Sequence, residues 1–280
     1  MPFLELFDET LDINSTENYE LSVQMSPDGL AFSILDSIRN KYVLLRASSP
    51  DENKYFAPDK ISELITRDDF LTKKYKKVNL VLPSSKFTLV PGPLFDPGKK
   101  EEYFKFNLNK DENDVIISNK LSDPDAFVVF AVLKPLFEIS GNLFPGVHPF
   151  HHTKPLLNQL SHFSKNAEGK YIHVHIEREF FNIFLYDHSI LNFSNTFFYR
   201  NINDILYYVL NIFKGKNITH EETLDFSGLT EKFDDIYSGF AMYIKNIKFT
   251  PPAGTFTFSY VFNDIELHRY TNLFSVTNCE

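Results

Sequence analysis

YIHVHIEREFFNIFLYDHSILNFSNTFFYR, residues 171–200, holds three strands in succession: 171–177, 180–186 and 190–199. In the first, Ile172, Val174 and Ile176 alternate with His173, His175 and Glu177, the period of a strand whose two faces differ. Asp187-His188-Ser189 closes one turn, and Glu177-Arg178-Glu179 makes a shorter reversal. A helix follows, with Ile202, Ile205, Leu206, Val209, Leu210 and Phe213 on one stripe and Gly215 past its end. The same order of elements begins near Tyr19, so the chain reads as an internal duplication.

Working outward, the first half gives strands at 19–26, 30–36 and 42–47. A helix carrying Ile61, Leu64, Ile65 and Leu71 comes next, then a short buried strand at 78–82. Between 84 and 118 the pattern loosens around Pro91-Gly92-Pro93 and Asp96-Pro97-Gly98, with a short helix at 99–106 and an edge strand at 115–118. Residues 127–134 are a continuous apolar strand. Pro135 opens a short helix that ends near Gly141, and Pro155 opens another with Leu156, Leu157, Leu160 and Phe163 inward. Residues 164–169 have the composition of a domain boundary. In the second half a strand at 222–226 precedes a long helix at 230–247, and 255–262 alternates as a strand. The end, 263–280, is ambiguous, a helix followed by a fraying or strand-like end.

Both halves thus run strand–strand–strand–helix–strand–helix–strand–helix. The expected fold is α/β: two ribonuclease-H-like domains, residues 1–165 and 166–280. Each has a mixed five-stranded sheet with an antiparallel three-stranded meander and flanking helices. Two such domains in tandem look like the actin-like ATPase fold.

The wording of the chain adds a resemblance. Residues 19–24 (YELSVQ), 28–29 (DG), 37–41 (SIRNK), 82–91 (LPSSKFTLVP) and 221–228 (EETLDFSG) resemble an uncharacterised bacterial family. That resemblance implies a degenerate actin-like ATPase fold and no assigned activity.

Composition bounds the partners. The 280 residues are 43% hydrophobic and 23% charged, an ordinary globular balance, and 30 Phe with 14 Tyr and no Trp predict an aromatic interior. A formal charge of −9 argues against nucleic acid, whose binding rests on Lys and Arg. The basic run Lys73-Lys74-Tyr75-Lys76-Lys77 is expected to be a solvated helix end. No run reaches the ~18 apolar residues of a membrane span, and the start lacks a basic, apolar leader, so the expected compartment is cytoplasmic. Cys279, the one cysteine, excludes an internal disulfide and reads as an incidental thiol.

An actin-like enzyme needs two hairpins whose carboxylates and glycines approach nucleotide phosphates, because only residues without Cβ let backbone amides close on phosphate oxygens. The first hairpin, Ser26-Pro27-Asp28-Gly29, keeps one carboxylate and one glycine. The second, Glu177-Arg178-Glu179-Phe180, has no glycine, and the paired glycines expected after Pro135 for an adenine are missing. Asp28, Gly29 and Glu177 are therefore vestigial phosphate-loop positions. His173, His175 and Glu177 share one strand face, but successive side chains lie ~7 Å apart, too far to meet on one ion without strong twist. Even with His148, His151, His152 and His162 in the sequence, the reading is a structural or water-facing row and no metal site. Glu20 alone makes no two-metal nuclease site. Ser84-Ser85-Lys86 lacks the glycines of a nucleophile elbow.

These residues predict a non-catalytic actin-like scaffold without a cofactor, holding an unidentified protein partner or associating with itself. The alternative is a divergent ATP- and magnesium-binding phosphotransferase of the sugar-kinase or actin type.

Overall fold

The computed structural model describes residues 4–51, 54–167 and 169–279. In the second half, β10 (Lys170–Ile176), β11 (Phe180–Asp187) and β12 (Ile190–Phe198) form the antiparallel meander, with Val174 opposite Ile183 and Phe181 opposite Phe197. Two parallel strands, β13 (Thr223–Gly228) and β14 (Asn246–Phe249), complete the order β12-β11-β10-β13-β14. Helix α5 (Ile202–Gly215) starts on a capping box between Asn201 and Asp204. It lays Ile205, Val209 and Phe213 against Ile172, Val174 and Ile176.

The first half repeats this plan. Strands β2 (Tyr19–Ser26), β3 (Gly29–Asp36) and β4 (Lys41–Ser48) make the meander, and β5 (Lys77–Leu82) runs parallel to β2. The fifth strand, β9 (Phe150–His151), is only two residues long, and the order β4-β3-β2-β5-β9 matches the second sheet. The duplication extends to detail: the register slips between Ile34 and Leu35 in one meander and between Leu185 and Tyr186 in the other. Short β1 (Leu4–Phe7) and β15 (Thr257–Phe258) both pair with β4. Helices α1 (Pro58–Arg67) and α4 (Thr153–Ser164) bury Ile61, Ile65, Leu156, Leu157 and Leu160 in the first core, which Tyr171, Phe184 and Tyr186 of the second sheet also enter.

Between β5 and β9 the chain builds a separate antiparallel sheet. Its strands β6 (Phe87–Pro91), β7 (Asp114–Leu121) and β8 (Ala126–Leu133) lie in the order β6-β8-β7, with α2 (Lys100–Asn107) on one face. The continuous apolar run at 127–134 therefore does not join the main sheet. Val129 and Ala131 pack on Phe104 of α2, while Val128, Phe130 and Val132 enter the main core, so both faces are apolar. Helix α3 (Lys134–Leu143) follows directly.

Four expectations are corrected. The helix at 230–247 shrinks to α6 (Asp235–Ala241): Phe233 has φ +73°, Asp234 caps Tyr237 N–H, and Ile247 belongs to β14. Pairing with β13 prevails over a fortuitous helical spacing. The strand at 255–262 is reduced to β15 and a 3-10 turn, because its alternate aromatics fill a cluster around Tyr42 instead of a ladder. The tail is helical, with α7 (Thr271–Ser275) between two 3-10 turns and no strand among residues 263–279. The basic run, moreover, follows a turn and not a helix end, since α1 stops at Arg67.

Candidate functional site

The β2–β3 and β10–β11 hairpins face one another across a cleft of 390 Å³ between the two halves. In the first hairpin Ser26 Oγ accepts from Asp28 N–H, and Gly29 is required because a Cβ there would sit 2.8 Å from Ser48 O. In the second, Glu177 N–H donates to Phe180 O, which closes a turn that throws Arg178 into the cleft. Its Nη1 donates to Lys54 O at 2.9 Å, lies 3.9 Å from Asp28 Oδ1, and the guanidinium covers Tyr55. Tyr55 in turn donates to Glu179. The structure thus brings Asp28, Gly29 and Glu177 to one cleft, with Arg178 standing among them.

The two carboxylates have opposite electrostatics. Asp28 is pushed up to about 6 by burial and by the charge of Glu177, against the opposing charge of Arg178, and its Oδ1 has no hydrogen-bond partner. Burial also pushes Glu177 up, but the hydrogen bond and charge of His175, helped by His152, outweigh it and hold Glu177 below the usual range. Near neutral pH Glu177 keeps its charge and Asp28 sits close to its titration point.

Three cleft residues were missed. Gly228, at the end of β13, has φ +85°, and a Cβ there would lie 2.0 Å from Ile176 O. A Ser-Gly pair ending a parallel strand is the available signal, whereas the position after Pro135 where paired glycines are expected lies inside α3. Arg269 and Asn272 arrive from the tail, which carries no motif.

Behind the cleft the row expected to be structural or water-facing is buried, as its structural reading has it. His173 and His175 are 0% and 1% exposed, because that face of β10 packs against the first half. They form a chain with β13. Tyr171 donates to Asp225 Oδ2, which is 2.9 Å from His173 Nδ1. Ser227 Oγ lies 2.8 Å from His173 Nε2 and 2.7 Å from His175 Nδ1. His175 Nε2 is 3.1 Å from both Glu177 Oε1 and Asn272 Nδ2. Asp225, His173 and Ser227 have the spacing of a hydrolytic triad, but Ser227 has no exposed surface for a substrate to reach.

The remaining candidates have structural partners. His151 bonds Thr153 and Ser84, His152 bonds Asn182, and burial lowers both, His152 to about 4. Lys86 is paired with Asp111 and Asp114. Burial pushes the Cys279 thiol up to about 11, away from nucleophilic use. Among the described residues, no three His, Cys, Asp or Glu side chains converge to hold a metal ion, and no helix is long and apolar enough to cross a membrane.

Two sheets of one strand order, meeting at a cleft bordered by equivalent hairpins, define an actin-like ATPase fold. A Bacteroides thetaiotaomicron protein of actin-like ATPase fold and unknown function aligns over 97% of this chain and 100% of its own, with 21% identity and a TM-score of 0.78. A structure described as the PilM–PilN type IV pilus biogenesis complex aligns over 92% of this chain and 96% of its own, with 11% identity and a TM-score of 0.56. No curated protein matches the chain. The chain belongs to the family described as "protein of unknown function (DUF3822)", whose profile matches residues 8–247.

Proposed function

We propose that the protein is a non-catalytic scaffold that holds an extended segment of a partner protein. The observation that carries this reading is a groove of 530 Å³ between two strand edges, β6 of the small sheet and β12 of the second sheet. Among the described residues each of these strands is paired on one side only. Phe87, Thr88 and Leu89 form one wall and Phe193, Ser194 and Thr196 the other, and Ser194 Oγ is buried without a partner. A strand laid between them adds backbone hydrogen bonds on both sides, while aromatic and hydroxyl side chains read alternate positions.

The interdomain cleft supports the same reading by what fills it. Phosphoryl transfer depends on holding polyphosphate, metal and nucleophile in register. Here the second hairpin presents Glu177 and Glu179, which repel phosphate, and Arg178 already bridges towards Asp28 and Lys54.

Selection of 12-residue peptides from a random library tests the proposal. Enriched sequences are expected to bind as uncharged, extended segments and to protect β12 amides from hydrogen exchange. Ser194→Lys should weaken them at least tenfold with the fold unchanged, and magnesium-ATP should show no turnover. Peptides indifferent to Ser194→Lys, no enrichment at all, or ATP turnover abolished in Asp28→Ala and Glu177→Ala would each overturn the reading.

A further inference from the structure

Asp225, His173, Ser227, His175 and Glu177 meet in four consecutive contacts along β10 and β13, at 2.9, 2.8, 2.7 and 3.1 Å. Each contact needs one hydrogen. Two neutral imidazoles supply one N–H each, Ser227 supplies one O–H, and two ionised carboxylates supply none. Three hydrogens cannot fill four contacts. If both rings donate outwards, His173 to Asp225 and His175 to Glu177, Ser227 faces two ring lone pairs with one hydrogen. Every other placement of three hydrogens moves the mismatch to a different contact. With His175 Nδ1 donating to Ser227, Ser227 to His173 and His173 to Asp225, the contact left without a hydrogen is that of His175 Nε2 with Glu177, where Asn272 Nδ2 also lies 3.1 Å from the ring. The other three contacts lie among buried residues that water does not reach.

We propose that this chain is a proton-binding site. It holds one proton beyond neutral histidines and ionised carboxylates, shared between His173 and His175 through Ser227. Of the five residues, Glu177 alone lines the cleft, so the proton enters and leaves there. The entering proton passes from Glu177 to His175 Nε2. The Nδ1 proton of His175 then moves to Ser227, whose own proton moves to His173 Nε2. Only O–H and N–H bonds form and break, and the charge gained equals the one proton taken up.

The surrounding groups suit a shared cation. From β10, Tyr171 donates to Asp225 and keeps that end an acceptor. His152, whose ring centre is 5.8 Å from that of His175, is lowered to about 4 by burial and adds no competing charge. Glu177 is held ionised by His175, which leaves the proton on the rings. A half-turn of the Asn272 amide presents its oxygen, which now lacks a partner, to a protonated His175 Nε2. Asp28 faces Glu177 across the cleft, and Arg178 on the same turn as Glu177 reaches towards Asp28.

Imidazole nitrogen NMR of the full chain at pH 7.5 tests this. The expected result is one imidazolium, on either ring or averaged over both. Ser227→Ala cuts the chain into two pairs, each satisfied by a neutral ring. It should bind one proton fewer per molecule by potentiometric titration and show two neutral rings. Ser227→Thr, which keeps the hydroxyl, should restore the proton. Two neutral rings in the wild-type protein would overturn the proposal, and that measurement stands even if Ser227→Ala fails to fold. An imidazolium that survives in a folded Ser227→Ala would overturn the sharing through Ser227.

Discussion

Asp28 and Glu177 came from the sequence by their place in turns, and both stand at the cleft. What the sequence hid was their setting, because it depends on Arg178, Gly228 and a tail far away in the chain. Asp28 yields a pH prediction. Its folded value, about 6, lies above the ordinary 3.8, so between these values the folded state binds the proton more tightly than the unfolded chain. The sign follows: Asp28 weakens the fold progressively as pH rises from about 4 through 6, and the full penalty is present above that window. Asp28→Asn removes the titration. It should leave stability unchanged at pH 4 and raise it by about 1–2 kcal/mol at pH 8, the value being reduced for partial solvent access. Urea denaturation of both proteins at the two pH values checks this; a gap that shrinks as pH rises would contradict it.

At the scale of elements, the 171–200 meander was legible because each of its strands alternates and its turns are short. The helix at 230–247 was not, since the spacing of Phe233, Phe240, Ile244 and Ile247 fits a helix although a parallel strand pairing takes the last of them. Asp234 marks where the real helix begins. Its carboxylate accepts from Tyr237 N–H, Glu231 N–H and Thr230 Oγ. Asp234→Ala should cost about 1 kcal/mol, lower the melting temperature by about 2–4 °C and leave the far-UV spectrum intact. No shift in melting temperature would mean that tertiary packing, and not the cap, sets this helix start. The strand at 127–134 teaches a related lesson. Apolar residues on both faces identify a buried strand without saying which sheet buries it.

For the whole molecule, the duplicated order could be read from one sequence, whereas the return of residues 257–279 to the first half could not. Thr257 N–H donates to Asn40 O and Ser259 N–H to Tyr42 O. Tyr42 then donates to Phe274 O at 2.6 Å and packs on Phe256, Phe258 and Phe274. These are partners more than 200 residues apart, and no local pattern announces them. Phe274 has no exposed surface. Phe274→Ala should destabilise the protein by about 3–5 kcal/mol in urea, although it lies beyond residues 8–247 matched by the family profile. A loss below about 1 kcal/mol would show that the tail is an accessory to the first core.

That returning tail also alters what a protease would leave behind. The polypeptide passes between the halves twice, once ahead of β10 and again between β14 and β15. A single nick at the first passage would yield two fragments on a denaturing gel and one particle in native buffer. The second fragment would still grip the first through its own final residues, as a clasp holds a cut bracelet closed.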